Sequence, residues 1–492
     1  MRLFITIFLS SLLFINAIAQ STRYSSFARV YSGKGTTIGK GVCVDNAQNI
    51  YVVGVESAVV SATSTNAFLI QLDSTAKHVK WRVPLAGNGI DEYTAVRYSA
   101  TDNTVVVCGF TNSNTPNNNY QGIVSKYTSN GTLVWTKLLG GTDVDVLNDC
   151  AIHTNGDIYL TGTTTSNTNA GSDVWAVRLT AQGAELFNNT IGSAFDDQAN
   201  GVILLHDTVF IVGATSDITN DNNYYLLALN TLGDTLYTKQ WGSTTVNEVL
   251  HKCTTGNGAL HVTGTSSFNN DKTPYFALLN TSTAIIRWEY IYPVTSTLDD
   301  WGICAVYFDF NNLYAQIINT KTFGYSNTVD LLLKVVNVNS NDVSGSVNGY
   351  KYDDVYYNAC WANDSCLIAI GTSDSYLKNG YTNLIVLKQN IYKGGQELAD
   401  SVNALKPIIA STTRITTHIV NDELTIVSTT KALANTTEIN CTNALGQTIQ
   451  LPIINKYTQS ATYNLQALST GIYYATVYLI DGEQVRVKFI KQ

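Results

Sequence analysis

The stretch NDCAIHTNGDIYLTGTTTSNTNAGSDVWAVRLTAQGAELFNNTIG, residues 148–192, decides the fold. It contains four short runs rich in β-branched and aromatic residues, which predict four strands, A to D. The turn around Asn155-Gly156, between runs A and B, is typical of a hairpin. In run C, residues 173–179, side chains alternate in the period of two that a strand requires. The stretch therefore predicts a four-stranded antiparallel unit.

This unit recurs along the chain. Its clearest part is run B, which starts at residues 50, 105, 158, 209, 260, 313 and 367, at steps of 51 to 55 residues. Run B usually ends in a glycine, and Gln316 stands in the place of this glycine in the sixth unit. Seven units of this kind favour a propeller, which closes on itself, over a solenoid, which needs atypical capping units. The repeat glycines are Gly54, Gly109, Gly162, Gly213, Gly264 and Gly371.

The two ends of the repeat region predict how the ring closes. The seventh unit has runs A, B and C, but no fourth strand follows it. The segment 27–32 near the N-terminus instead resembles the fourth strand of the second unit, Trp135 to Gly141. We therefore expect the N-terminal strand to complete the last blade through backbone hydrogen bonds.

Composition and the N-terminus indicate an exported protein. The chain has 492 residues, only 13% of them charged, with a net charge of −8 that argues against nucleic-acid binding. Residues 1–19 combine Arg2, an apolar run and the small-residue pattern Ala17-Ile18-Ala19, which predicts a cleaved signal peptide. The alternative, a spanning helix, would need a longer apolar run.

The eight cysteines show neither zinc-ligand spacing nor the pattern of a small disulfide scaffold. We interpret five of them as small buried side chains in one position of the repeat, and Cys360 and Cys366 as candidates for a cross-strand disulfide. The five are Cys43, Cys150, Cys253, Cys304 and Cys360.

With these features, residues 24–392 resemble the seven-bladed β-propeller repeat of secreted bacterial proteins. The shared pattern is Gly-Asp, then Asn-Ile-Tyr-Val-x-Gly-x-Thr, then Phe-x-x-x-Leu, Gly and Trp. This resemblance implies a propeller over residues 20–392 and carries no shared active site. The all-β fold class predicted is a seven-bladed propeller followed by a small Ig-like β-sandwich.

The C-terminal region departs from the repeat. Residues 393–411 are interpreted as a linker, and residues 412–492 contain about seven short strands, typical of a small sandwich. This tail resembles the C-terminal sorting domain of Bacteroidetes type IX secretion cargo, although the usual Pro-Asn-Pro at its start is absent. The resemblance implies passage through the periplasm, contact with the type IX machinery, and secretion or cell-surface attachment. An ordinary Ig-like appendage is the alternative. The matching marks include Gly446, Gly471, Tyr473, Lys488 and Lys491.

No catalytic or nucleotide-binding motif is recognisable. The six histidines are scattered, and neither a nucleophile elbow nor a P-loop is present. Two carboxylates from different blades can nevertheless meet without a sequence signature, so a hydrolase or lyase stays open.

The topology predicts where ligands would bind. The D–A connections and the long polar B–C loops emerge on the same face of a propeller, and loops on a rigid scaffold commonly carry function. Most D–A connections carry an acid before strand A. These acids either fix turns between blades or form a ring suited to Ca²⁺ or a cationic ligand; no other cofactor is expected. The acids are Asp91, Asp145, Asp197, Glu248, Asp299 and Asp354.

Aromatic residues at repeat positions, such as Tyr51 and Trp135, are interpreted as packing residues. Four aromatics in loops break the repeat and are candidates for ligand contact: Phe268, Phe323, Tyr325 and Tyr376. The leading hypothesis is a non-enzymatic exported protein whose propeller binds a glycan, a protein or a surface polymer. The alternative is a secreted enzyme that degrades polysaccharides or peptides with carboxylates on the loop-bearing face.

Overall fold

In the computed structural model the chain divides into two compact units, Met1–Leu405 and Lys406–Gln492. The structure describes residues 27–491, except 34, 58–63, 86, 167, 169, 220, 257, 269–270, 292–298, 309–312, 322–327, 338–342, 349–352, 363–365, 375–380, 391–414, 421, 429–437, 444–447, 458–459 and 479–483. The predicted signal peptide and the predicted linker therefore lie outside the described residues. No helix within these ranges is long and apolar enough to cross a membrane.

The first unit is a seven-bladed β-propeller. Its described strands form seven four-stranded antiparallel sheets, six of which follow the chain as consecutive strands A to D. The first three blades are β2 (Thr37–Val44), β3 (Ile50–Glu56), β4 (Asn66–Leu72), β5 (Val79–Leu85); β6 (Asp91–Ser99), β7 (Thr104–Thr111), β8 (Gln121–Thr128), β9 (Leu133–Leu139); and β10 (Asp145–Ile152), β11 (Ile158–Thr164), β12 (Asp173–Leu179), β13 (Glu185–Ile191).

The next three blades have the same order. They are β14 (Asp197–Leu205), β15 (Thr208–Ser216), β16 (Asn222–Asn230), β17 (Thr235–Trp241); β18 (Asn247–Gly256), β19 (Ala259–Phe268), β20 (Asp271–Asn280), β21 (Ile286–Ile291); and β22 (Asp300–Phe308), β23 (Leu313–Thr320), β24 (Asp330–Asn337), β25 (Val343–Asn348). A short 3₁₀ turn, Pro116–Asn118, interrupts the B–C loop of the second blade.

The seventh blade is assembled from both ends of the repeat region. It consists of β26 (Asp354–Ala362), β27 (Cys366–Ser373), β28 (Asn383–Asn390) and the N-terminal strand β1 (Phe27–Tyr31). Strand β1 pairs antiparallel with β28, from Phe27 opposite Lys388 to Tyr31 opposite Leu384. The N-terminal strand thus occupies the place that the sequence pattern predicts, and it joins the first and last segments of the ring by backbone hydrogen bonds.

The A strands form the inner ring of the propeller, because each contacts the A strand of the next blade, and β26 contacts β2 to close the circle. Strand D of a blade packs on the C–D turn of the next. The Trp81 Nε1–H donates to Ser129 O at 3.2 Å, and its ring lies over Gly131. Trp135 meets Gly183 in the same way. Both glycines have positive φ, of 87° and 84°, so the turn itself requires glycine.

A β-bulge in strand A explains the repeat glycines. In each blade one extra residue in strand A shifts the register with strand B. The backbone beside the bulge then approaches strand B closely. A Cβ on Gly162 would lie 1.8 Å from Val146 O, and a Cβ on Gly213 would lie 1.8 Å from Gln198 O. A side chain at either of these two glycines would therefore clash with the backbone of strand A.

The sixth blade requires a correction. The prediction placed Gln316 where other blades have glycine, but the register puts Ile318 at this position, opposite Gly302. In the other blades the strand B residue of this pair is glycine. In the sixth blade the strand B residue is Ile318, and the glycine is its strand A partner, Gly302. Gly302 lies against the fifth blade, since a Cβ there would be 2.6 Å from Gly264 O.

The interpretation of the cysteines also needs correction. Cys304, Cys150 and Cys43 lie one, two and three residues after the bulge, so they do not share one repeat position. None of the eight cysteines forms a disulfide. Cys366 lies opposite Ala362, and Cys360 lies opposite Ile368, so the two thiols are diagonal rather than paired and form no disulfide.

The second unit is a small β-sandwich of seven described strands: β29 (Ile415–Val420), β30 (Glu423–Ser428), β31 (Glu438–Asn443), β32 (Thr448–Lys456), β33 (Ser460–Asn464), β34 (Gly471–Tyr478) and β35 (Gln484–Lys491). Their order is β29-β30-β33-β32-β31-β34-β35. Strand β32 pairs with β31 through residues 448–452 and with β33 through residues 453–456, across a bulge. It therefore connects both layers around a core that includes Leu424, Cys441 and Val477.

Candidate ligand site at the channel mouth

The bulge residues of all seven blades line one cavity. Each is the extra residue of its strand A, close to the end of the strand that faces the D–A and B–C loops. Together they surround a cavity of about 420 Å³ at the mouth of the central channel. We call these residues the bulge ring: Lys40, Thr94, Asn148, Asn200, His251, Ile303 and Tyr357.

Hydrogen bonds between blades hold part of the bulge ring in place. The Thr94 hydroxyl donates to Leu147 O at 2.8 Å, and the Asn148 amide donates to Ala199 O, also at 2.8 Å. The Asn200 amide donates to the next blade in the same way, at 2.9 Å. Because a primary amide has two N–H donors and an acceptor oxygen, each Asn keeps polar capacity for the cavity. The second to fourth blades thus supply fixed polar side chains.

The opposite arc is aromatic and aliphatic. Trp301, Ile303 and Tyr357 line it in the sixth and seventh blades. The Lys40 ammonium lies 4.7 Å from the ring centre of Tyr357 and 3.3 Å from a carboxylate oxygen of Glu92. Lys272 lies 5.5 Å from the ring centre of Trp301. Cations over ring faces are an attractive geometry, which helps to fix the two rings.

An ion cluster lies deeper along the A strands. Asp149 contacts Arg97 of the second blade at 2.8 Å and Lys252 of the fifth blade at 3.0 Å, and its side chain is only 2% exposed. Although burial disfavours its ionised form, the two cations hold the pKa of Asp149 below its ordinary value. The cluster joins three blades and its Lys252 lines the cavity, so we call it the cavity floor.

Buried thiols surround this floor. Burial raises the pKa of Cys253 and Cys360, and each thiol interacts electrostatically with Arg97. Cys304 has the same surroundings, and its pKa is raised to about 12. A thiol is the nucleophile and metal ligand only as the thiolate, so these cysteines act as small apolar residues in the channel.

His251 is a neutral member of the bulge ring. Burial lowers its pKa to about 4, with further contributions from Lys252 and Lys272. Its Nε2 lies 2.9 Å from the Thr265 hydroxyl oxygen. A neutral imidazole has one donor and one acceptor nitrogen, so His251 offers hydrogen bonding without charge.

The acids predicted from the D–A connections lie around the same face. Their carboxylates, however, bind groups of the chain itself. The Asp145 carboxylate accepts hydrogen bonds from Gly141 N–H at 2.6 Å, from the Ser166 hydroxyl at 2.9 Å, and from Thr164. Asp91 accepts from the Thr111 and Ser113 hydroxyls in the same way. These bonds agree with the turn-fixing interpretation. Ligand or Ca²⁺ binding by the acids stays a prediction, and within the described ranges no three His, Cys, Asp or Glu residues are placed to hold a metal ion.

Two of the remaining acids occupy the same position at the start of strand A, and the other two differ. Asp197 and Asp354 begin strand A and are buried, whereas the register assigns this position in the sixth blade to Asp300 instead of Asp299. Asp299 is about one-third exposed and lies 3.3 Å from Lys321. Burial raises the pKa of Glu248 to about 7, against two hydrogen bonds from Ser243 N–H.

The first blade reverses this arrangement. Thr37 begins strand A there, and the acid is Glu56 at the facing position of strand B. Backbone bonds join the same points between blades: Asp145 N–H donates to Tyr120 O at 2.9 Å, and Thr37 N–H donates to Thr382 O at 2.9 Å. The start of strand A is therefore a junction between blades at these two points.

Of the four loop aromatics, Phe323, Tyr325 and Tyr376 lie outside the described residues. Phe268 ends β19, and its side chain is also outside them. Trp301 and Tyr357, two of the aromatics that line the cavity, were not among those predicted. The sequence signal that could have identified Tyr357 is the number of residues that separate it from the acid at the start of strand A. In six blades the bulge residue lies three positions after the first residue of strand A, and in the fifth blade His251 lies three positions after Glu248, the second residue.

The sorting-domain marks are placed as follows. Tyr473 is buried in β34 and donates from its hydroxyl to Ser469 O at 3.0 Å. The Lys491 ammonium is buried, 2.7 Å from Leu465 O and 3.1 Å from Asp422. Gly471 begins β34 and Lys488 lies in β35, whereas Gly446 lies outside the described residues.

Comparison with known proteins assigns the tail. Residues 420–492 match the family described as "Secretion system C-terminal sorting domain". The chain is thus a seven-bladed β-propeller protein with a C-terminal type IX sorting domain, which directs export to the cell surface or the medium. No curated protein matches the sequence.

Several solved structures are similar to the chain. Hydrazine synthase from Kuenenia stuttgartiensis is 8% identical with a TM-score of 0.46, and covers 70% of this chain and 94% of its own. An ulvan lyase of a new polysaccharide lyase family is 11% identical with a TM-score of 0.47, covering 73% and 96%. YCF48 from Cyanidioschyzon merolae is 10% identical with a TM-score of 0.44, covering 74% and 98%. Since these scores are below 0.5, the architecture of this chain rests on its own strand pairing.

Proposed function

We propose that this protein is an exported binding protein whose propeller captures a ligand in the channel-mouth cavity. The observation that carries the proposal is the bulge ring, because all seven blades direct one side chain into a single cavity. Its volume of about 420 Å³ lies in the range of small-molecule sites. The hydrogen bonds between blades hold Thr94, Asn148 and Asn200 in position before any ligand arrives, which lowers the entropy lost on binding.

The route of export is the second part of the proposal. The sorting domain implies contact with the type IX machinery. We propose that the chain first enters the periplasm through its N-terminal signal and then crosses the outer membrane, where it stays on the surface or is released. Deletion of residues 412–492 is expected to retain the protein in the periplasm. In the matched experiment, residues 406–492 fused to a periplasmic reporter should bring that reporter to the surface. Surface display of the truncated chain would contradict the assignment.

Binding is tested with the full mature chain on panels of immobilised glycans, peptides and surface polymers. Asn200→Trp places a large side chain in the cavity and is expected to abolish capture. The matched control is Phe195→Ala, which removes a 37% exposed aromatic in the D–A connection of the same face, outside the cavity. Thermal unfolding should show that both variants are folded. Capture that survives in folded Asn200→Trp would show that the cavity is not the binding site.

An enzyme with carboxylates on the loop-bearing face is the alternative that the sequence left open. The raised pKa of Glu248, about 7, is the observation in its favour, since a general acid must hold its proton near neutral pH. Asp91 and Asp145 are instead bound to hydroxyls of their own blade. A screen of polysaccharide and peptide substrates, repeated with Glu248→Gln, Asp145→Ala and Asp197→Ala, tests it. We expect no turnover, and turnover lost in Glu248→Gln would favour the enzyme.

A further inference from the structure

We infer that the channel-mouth cavity binds the terminal sugar residue of a glycan, with one ring face against Trp301 and Tyr357 and its hydroxyl groups toward Asn148, Asn200 and His251. This inference rests on the proposed function and adds the chemical class of the ligand.

The first argument is the two-sided lining of the cavity. Trp301, Ile303 and Tyr357 of the sixth and seventh blades form one wall, Asn148 and Asn200 come from the third and fourth blades, and His251 of the fifth blade lies between the two groups. A pyranose has the same division, with C–H groups on its faces and hydroxyl groups around its edge. The electron-rich face of an aromatic ring attracts the weakly positive C–H groups, whereas amides and imidazole bond hydroxyls.

The second argument is charge. The charged groups at the cavity are paired within the chain, Lys40 with Glu92 and Lys252 with Asp149. Burial and the neighbouring lysines lower the pKa of His251 to about 4, so this side chain is uncharged at neutral pH. A strongly ionic ligand would have to break one of these pairs, at a cost, because a buried charge would lose its partner. A neutral ligand rich in hydroxyl groups leaves both pairs intact.

The third argument is depth. The cluster of Arg97, Asp149 and Lys252 joins three blades by ion pairs farther along the A strands than the bulge ring. A polymer that passed through the channel would have to separate these buried ion pairs, so the cavity favours the end of a chain over its middle. This geometry favours a terminal residue over an internal one.

The test is an array of glycans grouped by terminal sugar, probed with the full mature chain. We expect binding to glycans that share one terminal residue, and competition by the free monosaccharide. Trp301→Ala and Tyr357→Ala should each weaken binding about tenfold or more, because buried aromatic anchors dominate such contacts. Tyr357→Phe keeps the ring and should retain binding, as should the control Phe195→Ala.

The outcomes separate this inference from the proposed function. If the array is negative while a peptide or polymer from the other panels binds and is lost in Asn200→Trp, the cavity is a binding site but not for sugars. If glycans bind equally to Trp301→Ala and to the unmodified chain, the site assignment itself fails. Binding to internal sugars, with no preference for the terminal residue, would overturn the end-on geometry.

Discussion

At the scale of single residues, the most exceptional side chain is His261. It is fully buried in strand B of the fifth blade, 4.2 Å from the ring centre of Tyr314. Neither ring nitrogen has a hydrogen-bond partner within the described part of the chain. Burial therefore lowers its pKa to about 3. The fourth blade has Phe210 at this position, so an apolar ring is compatible with the repeat.

This predicts an acid-sensitive fold. Between pH 6.5 and 3 the unfolded chain binds a proton at His261 and the folded chain does not, so the free energy of unfolding falls as the pH falls. The loss is about 2 kcal/mol between pH 7 and pH 5. His261→Phe should remove this part of the slope in urea unfolding at several pH values, while His251 retains its own share. His206→Asn, at an exposed turn, serves as the control, and an unchanged slope in His261→Phe would contradict the assignment.

A second buried titratable residue with a shifted pKa is Asp173, at the start of β12. Its carboxylate lies beside Asp197 of the next blade, and burial and this neighbour raise its pKa. The second and fourth blades have amides at the same position, Gln121 and Asn223, each opposite a threonine of strand B. The third blade thus places two carboxyl groups where its neighbours place an amide and a carboxyl group.

We expect Asp173→Asn to stabilise the protein at pH 7 by about 1 kcal/mol. The raised pKa means that ionised Asp173 disfavours the folded state, so the gain should shrink as the pH falls and the carboxyl group is protonated. Asp207→Asn, in a side chain that is 86% exposed, should change little. Equal stability of the Asp173 variant and the unmodified chain at pH 7 would refute the like-charge explanation.

At the scale of elements, the bulge of strand A has two effects. In six blades it brings strand A so close to strand B that glycine is required on strand B, and in all seven it turns an additional side chain toward the channel. The same backbone irregularity thus determines both the repeat glycines and the bulge ring. The repeat glycine and the candidate site are therefore coupled in six blades, and the sixth has Ile318 in place of the glycine.

Gly162→Ala tests the first effect. The added Cβ would lie 1.8 Å from Val146 O, so the two strands must separate, and we expect a loss of about 3 kcal/mol in the free energy of unfolding. Thr163→Ala, at the next residue, is the control and should cost less than half as much. Calorimetry of the two variants compares them directly, and a tolerated Gly162→Ala would mean that the bulge is not tightly constrained.

At the scale of the whole molecule, closure by β1 connects the N-terminus to the seventh blade. Without β1, strand β28 would be an unpaired edge, which is a site for association with other chains. Deletion of residues 20–32 is expected to lower the melting temperature and to produce oligomers in size-exclusion chromatography. A peptide of residues 24–33 added in trans should restore the monomer by strand addition, whereas a scrambled peptide should not. A stable, monomeric deletion variant would show that ring closure does not depend on β1.

The sequence by itself determined the number of blades, the strand order within a blade and the identity of the tail. These properties follow from local periodicity and from turn residues such as Asn155-Gly156, which repeat with the unit. It also indicated the closing strand, because the seventh unit lacks a fourth one. Only the tertiary structure decided which side chains meet at the channel. The residues of the bulge ring are 51 to 54 positions apart and only Asn148 and Asn200 are alike, so no local pattern marks them. They come together because one extra residue in each A strand rotates its side chain inward, and this rotation depends on pairing across strands that a linear pattern does not reveal.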